Sequence, residues 1–497
     1  MAPEDLRITR SRLLALGGAA IAGLYGLRAP AALARTREAP TGRYVSRPDL
    51  LPPPITVAVP ASGRPSAPLF LAPFDITAAS SPQSNPASQS QSGPLVVDDR
   101  GEPIWFLPFG SKTAMGFRVQ KYRGRRVLTW YEGTVLGPYG GSFVVYDPSY
   151  HEVARVEAGH GRHGDLHEFL LTPRGTALIT IYNEISADLT SIGGTANGRL
   201  VTGIVQEVDV ATGDVLFEWR SREHVGLEET LTPQVTQAGN VDYFHLNSIA
   251  VDSDGHLLVS ARNTSTVYKI HRKTGSVIWR LGGKKSDFTF GPGASFAFQH
   301  DARRHPDGTM TIFDNAASRP DPTLASRAIR IRLDAKRRHA TLVHEYATTD
   351  ARNVWAMGNV QQLDGGGIFV GWGTDGSFSE FGRDGQLRYD ARFADGSVSY
   401  RAFRWDWEAR PTGRPAVAVV REDGGAMTVY ASWNGATEVA RWRVETGASA
   451  QRLSAAATHP RAGFETAMTM PATGGYVSAV ALDAKGKALG ASVPVAV

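Results

Sequence analysis

From Pro94 onward the chain reads as short runs of alternating apolar and polar residues, each closed by a turn that carries glycine. Alternation with period two predicts strands, and the glycine turns predict that neighbouring strands run antiparallel. Two kinds of segment recur. One is a turn followed by an aromatic or apolar strand. It appears as DRGEPIWF ending at Phe106, ATGDVLFEW ending at Trp219, KTGSVIWRL around Trp279 and RDGQLRYDARF ending at Phe393, with weaker copies at 148–156 and 334–346. The other is a strand, a glycine turn and a second strand. It reads HEFLLTPRGTALITIY from His167, NSIAVDSDGHLLVSAR from Asn247 and HDARRHPDGTMTIFD from His300, with degenerate copies from Phe117 and Gly358. Together they form a repeat of roughly 40–60 residues. Four short strands per unit, repeated radially, protect edges that would otherwise pair with other chains. The predicted class is therefore all-β, with a six-bladed β-propeller over residues 94–410.

The flanking segments differ in texture. Residues 413–497 hold further short strands between Gly-rich turns, which predicts a small immunoglobulin- or fibronectin-like β-sandwich with Trp433 or Trp442 in its core. Such a unit serves either as a carbohydrate- or surface-binding module or as a spacer packed on the propeller. Residues 35–93 are a Pro/Ser-rich segment whose stretch at 78–93, AASSPQSNPASQSQSG, predicts a loop. Residues 1–34 have the order of an export signal: Arg7, Arg10 and Arg12, an apolar run from Leu13 to Leu27, and Ala32-Leu33-Ala34 as a cleavage site. The run is shorter than the ~20 residues that span a bilayer. The expected location is extracytoplasmic, with membrane attachment only through an uncleaved signal. The arginine pair is interrupted as Arg10-Ser11-Arg12, which departs from a twin-arginine signal.

Composition narrows the chemistry. The chain contains no cysteine. Disulfide scaffolds, thiolate zinc sites, cysteine nucleophiles and lipid-modified cysteine are excluded. The formal net charge is +5, without a dense basic run interleaved with aromatics, so nucleic acid is not an expected partner.

Aligning the strand–turn–strand copies on their turn glycines, Gly175, Gly255 and Gly308, places His167, Asn247 and His300 at one equivalent position in three successive units. Equivalent positions in a propeller lie at equal distances from its axis, so these side chains converge on one end of the channel. His245 precedes Asn247 by two residues and is expected on the same side. Arg262 ends the following strand, within reach of the same spot. Histidine is a nucleophile and proton carrier near neutral pH, and arginine is the side chain best suited to an oxyanion. The set suits transfer of an anionic group, sulfuryl or phosphoryl. Metal ligation is the other chemistry open to it, with Asp165, Glu168 and Asp301 nearby.

Several stretches resemble the bacterial aryl sulfotransferases that need no nucleotide sulfate donor. They are Tyr243–Ile249 (YFHLNSI), Ser260–Ile270 (SARNTSTVYKI), Trp279–Phe288 (WRLGGKKSDF), Gln299–Arg303 (QHDAR), and Gly93–Asp98 with Trp105-Phe106. The likeness extends over roughly residues 45–410. It implies a six-bladed propeller that moves a sulfuryl group from a phenolic sulfate ester to another phenol, by a ping-pong route through a sulfated histidine and with no cofactor. It implies His300 as nucleophile, His245 and Arg262 on the transferring group, and His167 as the remaining channel histidine, with His163 competing for that role. Asn247 is a substrate-binding candidate from the register alone. The expected partners are a small aryl sulfate donor and a phenolic acceptor. Some members of the family carry a cysteine pair that this chain lacks. The alternatives are a non-catalytic exported propeller that binds a ligand or partner, and a metal-assisted hydrolase using the same histidines.

Overall fold

The computed structural model describes residues 44–61, 67–77, 90–134, 140–231, 233–235, 239–316 and 325–497. The export signal expected at 1–34 lies outside them. Six sheets of four to six strands follow one another along the chain, each built on four antiparallel strands in hairpin order. The second runs from Thr113–Tyr122 to Glu152–Val156, the third from Phe169–Leu171 to Val215–Arg220, and the fourth from Leu246–Val251 to Val277–Gly282. The fifth runs from His300–Arg304 to His339–Tyr346, and the sixth from Asn359–Gln362 to Leu387–Phe393. The first is assembled from both ends of the ring: Val398–Arg404 pairs with Leu69–Phe74, which continues to Leu95–Val97 and Pro103–Phe106.

The recurring segments fall where the pattern predicts. Each turn-plus-aromatic segment is the fourth strand of its hairpin series, and each strand–turn–strand segment is the first pair. Gly175, Gly255 and Gly308 share one left-handed conformation, φ 77°, 80° and 79°, although the pairing registers shift at Leu246/Ser248 and at His300/Arg303.

Both faces of every sheet are covered, and this closes the ring. In Leu69–Phe74, Leu69 and Leu71 enter a core shared with the sixth sheet, through Phe369, Phe378 and Tyr389. Phe70 and Ala72, pointing the other way, enter a core shared with the second sheet, through Phe117, Leu128 and Trp130. Further cores join sheets two and three, three and four, four and five, and five and six. Six sheets joined face to face in a closed ring are a β-propeller.

The ring begins earlier than Pro94. Leu69–Phe74 is part of the first sheet, and Ile55–Val59 pairs with the outer edge of the sixth. The pattern at 35–93 concealed this because Leu69–Phe74 is buried on both faces and shows no alternation. Beyond the ring, a three-stranded sheet and a five-stranded sheet enclose one core that includes Met427, Trp433, Trp442 and Val477. This unit is fastened to the ring's first sheet. The Asn434 side chain accepts from Phe106 N–H at 2.9 Å and donates to Phe106 C=O at 2.8 Å, and Gly435 N–H donates to Ile104 C=O. It therefore covers an outer edge of the propeller.

Candidate active site

The start of an inner strand and the end of its antiparallel neighbour lie at the same end of a sheet. His167 stands just before Phe169–Leu171, His245 just before Leu246–Val251, and His300 opens His300–Arg304. Arg262 follows Leu257–Ala261 and its N–H donates to His245 C=O at 2.9 Å. Three sheets thus deliver three histidines and an arginine to one end of the ring.

The rings of His167 and His245 lie 5.0 Å apart at 80°. Tyr182 stacks on His167 at 5.0 Å. Tyr400, from the closing strand of the first sheet, stands edge-on to His167 at 5.5 Å and to His300 at 6.4 Å, so it touches both. His300 is 1% exposed whereas the His245 side chain is 21% exposed, so His245 marks the open side.

Each imidazole is held through Nδ1. His167 Nδ1 contacts Asp165 Oδ1 at 2.6 Å, and His245 Nδ1 contacts Asp242 Oδ2 at 2.6 Å. His300 Nδ1 contacts Asn315 Oδ1 at 2.8 Å, and Met357 N–H donates to His300 Nε2 at 3.3 Å. Nε2 of His167 and of His245 is left for a ligand, whereas Nε2 of His300 must first give up the Met357 N–H. Burial, the Arg262 charge and His245 push the His300 pKa well below the ordinary histidine value, with only the Asn315 hydrogen bond acting the other way among the larger influences. Burial also lowers that of His245, against the opposing pull of Asp242.

Arg262 is buried without a carboxylate. Among the described residues its guanidinium donates to Asn263 Oδ1 and to Trp355 C=O, both at 3.1 Å, and lies 5.0 Å over the Phe298 ring. Its Nε has no hydrogen-bond partner. Burial lowers its pKa to about 10, which leaves it cationic at neutral pH. Asp242 acts on this charge only through space, and a buried cation whose hydrogen bonds go only to neutral groups can take an anion.

The acids considered as metal ligands are engaged otherwise. Asp165 orients His167. Glu168 accepts from Arg118 at 2.7 Å, from Arg401 at 3.1 Å and from Arg303. Asp301 accepts from Arg303 at 2.8 Å and from Val360 N–H at 3.0 Å. Among the described residues no three His, Asp or Glu side chains are grouped to hold a metal ion.

Asn247 is brought beside the site and is tied into its frame. It is wholly buried and its amide donates to Gln299 C=O at 2.7 Å, so it holds the peptide that precedes His300 and keeps only Oδ1 without a partner. The expectation that His245 and Asn247 share a side does not apply. His245 precedes the strand with φ 57°, and the pairing register shifts between Leu246 and Ser248. His163 is exposed, and it is His167 that packs against His245 and Tyr400. Sequence reasoning missed Asp242, Tyr182, Tyr400, Asn315 and Met357. Asp242 stands three residues before His245 and was readable as a local partner. Asn315 follows the second strand of its sheet and carries no local signal.

Backbone strain gathers here. His245, Phe298, Asp301 and Met357 all have φ between 54° and 67°. Non-glycine residues held in this region cost about 1–3 kcal/mol each and cluster at functional sites.

No curated protein matches the chain. Among solved structures, a protein of unknown function from Bacteroides caccae shares 12% identity, with 68% of this chain and 98% of that one covered, at a TM-score of 0.40. A periplasmic gluconolactonase from Pseudomonas aeruginosa shares 12% identity, with 81% and 98% covered, at a TM-score of 0.37. A Lactobacillus plantarum protein shares 13% identity, with 82% and 99% covered, at a TM-score of 0.37. At those scores no argument rests on them. The family model described as "Arylsulfotransferase (ASST)" matches residues 118–394, more than half of the chain, and this span includes every histidine and arginine of the site. The chain belongs to the arylsulfotransferase family.

Proposed function

We propose that the protein transfers a sulfuryl group from an aryl sulfate to a phenol through a sulfated His300. The observation that carries this reading is a buried arginine that, among the described residues, hydrogen-bonds only to neutral groups, beside three histidines each held through Nδ1, in a chain of this family.

His300 Nε2 attacks the sulfur of the bound ester. The N–S bond forms as the bond from sulfur to the aryl oxygen breaks, and the phenolate leaves. Arg262 and His245 hold the sulfuryl oxygens, whose charge needs fixed donors in the transition state. An anion beside His245 favours its protonated form, which supplies that donor. His167, with Nδ1 anchored on Asp165, exchanges protons at Nε2. It gives a proton to the departing phenolate and takes one from the acceptor phenol. That phenol then attacks sulfur, the N–S bond breaks, and neutral His300 returns. Export follows from the N-terminal signal, with a mature chain beginning near Arg35.

Incubation with p-nitrophenyl sulfate alone, followed by mass spectrometry, tests the reading. A sulfuryl adduct on the peptide containing Gln299-His300-Asp301 is expected, and His300→Ala should lose both release of the first phenol and transfer to the second. An active protein whose His300→Ala variant keeps full turnover would refute it.

A further inference from the structure

The group behind His300 differs in kind from those behind the other two histidines. His167 and His245 rest on carboxylates, His300 on the amide of Asn315. We propose that Asn315 is a positioning residue that fixes His300 as its Nδ1–H tautomer and so keeps Nε2 unprotonated, as an attacking nitrogen must be. This rests on the sulfohistidine reading above.

The orientation of the amide follows from its surroundings. Asn315 Nδ2 donates to the carbonyls of Val354 and Met357, both at 3.0 Å. Backbone carbonyls only accept, so the nitrogen end of the amide is fixed there and Oδ1 must face the imidazole. An amide oxygen also only accepts, so the proton on the contacting nitrogen belongs to His300 Nδ1. Nε2 of the neutral ring then carries an unprotonated lone pair, which accepts from Met357 N–H and must be released from it before attack. A second proton would set N–H against N–H. The titratable groups facing His300 are Arg262, His245, His167 and Tyr400, and none of them is a carboxylate. Asp301, its neighbour in sequence, turns to Arg303.

This separates the roles of the three histidines. A carboxylate at Nδ1 places a negative charge against the ring, whereas the Asn315 amide orients His300 without adding charge, which suits a nucleophile. When the N–S bond forms, the ring keeps its Nδ1 proton and takes up positive charge, and Oδ1 accepts the stronger hydrogen bond. Met357 N–H, released from Nε2, lies beside the new sulfuryl oxygens and can donate to them. The same loop holds Arg262 through Trp355 C=O, so Asn315 fixes the nucleophile and the anion-binding arginine together.

Two measurements test this. In protein labelled with 15N-histidine, two-bond 1H–15N correlations at neutral pH should show His300, identified by the signals lost in His300→Gln, protonated at Nδ1 and bare at Nε2. An Nε2–H tautomer or an imidazolium overturns the proposal. This readout needs no turnover, so a protein that shows the Nδ1–H tautomer but acquires no adduct refutes the sulfuryl reading and leaves the tautomer assignment standing. In Asn315→Asp the new carboxylate should shift the acid limb of kcat/KM for p-nitrophenyl sulfate to higher pH by about one unit or more. A residue with a merely structural role would lower the rate and leave the limb in place, and that result overturns the proposal. If Asn315→Asp does not fold, the tautomer measurement decides alone.

Discussion

Three pairs of adjacent residues divide between two clusters of buried polar groups. His167, His300 and Tyr400 enter the histidine pocket, while their neighbours Glu168, Asp301 and Arg401 enter a knot with Arg118 and Arg303. The same stretches of backbone build both, and the two are satisfied in opposite ways. In the knot three arginines meet two carboxylates, and Glu168 alone accepts from all three. Burial by itself would raise the Glu168 pKa, but Arg303, Arg401 and Arg118 outweigh it and hold it far below the usual carboxylate range. In the pocket, the arginine among the described residues hydrogen-bonds to no carboxylate and the histidine at its centre has its pKa pushed well down. A charge cluster closed on itself fixes structure, whereas one left open has capacity for a ligand.

Removing the centre of the closed cluster should have the largest effect. Glu168→Gln leaves three buried guanidinium groups facing one remaining carboxylate. Breaking a buried pair in this way costs about 3–5 kcal/mol, so urea denaturation should show a large loss of stability or the variant should fail to fold. A variant as stable as the parent would mean that the knot does not hold the sheets together.

The open cluster should respond in activity and hardly in stability. Arg262→Lys keeps the charge and loses the planar fork. Removing a fixed donor of this kind costs about 100-fold or more in turnover. The two bonds it gives up, to Asn263 and Trp355, suggest a stability change within about 1 kcal/mol. A variant that loses stability in proportion to activity would place Arg262 with the structural arginines.

How much of this was legible follows from sequence distance. The strands and their glycine turns are local, and local pattern located them from Phe117 to Phe393. The histidine register was legible because the three turn glycines repeat one conformation. Closure was not: Val398–Arg404 meets Leu69–Phe74 across more than three hundred residues, and neither strand alternates, because both faces are buried. Arg401 and Tyr400 reach Glu168 and His167 only through that closure, so neither cluster could be completed from motifs. The role of Asn247 was obscured by the left-handed backbone at His245, which breaks the two-residue parity of a strand.

The smallest expected effect separates the clusters along the pH axis. An unfolded histidine takes up a proton near pH 6.5, and buried His300 refuses it well below that value. Below pH 6.5 the unfolded state therefore binds more protons than the folded one, and stability falls on acidification by at most about 1.4 kcal/mol per pH unit for each such histidine. His245 contributes with the same sign. Glu168 acts lower: its stabilisation is complete above its unfolded value of 4.5 and is lost only as pH falls through its depressed folded value. Mild acid should thus weaken the pocket before it touches the knot. In His300→Gln the first share disappears, so the stability difference between about pH 8 and about pH 5 should shrink by up to about 2 kcal/mol relative to the parent. Urea midpoints for both proteins at the two pH values measure this. Equal differences in the two would mean that His300 is not held neutral, and the contrast between an open and a closed cluster would then rest on Arg262 alone.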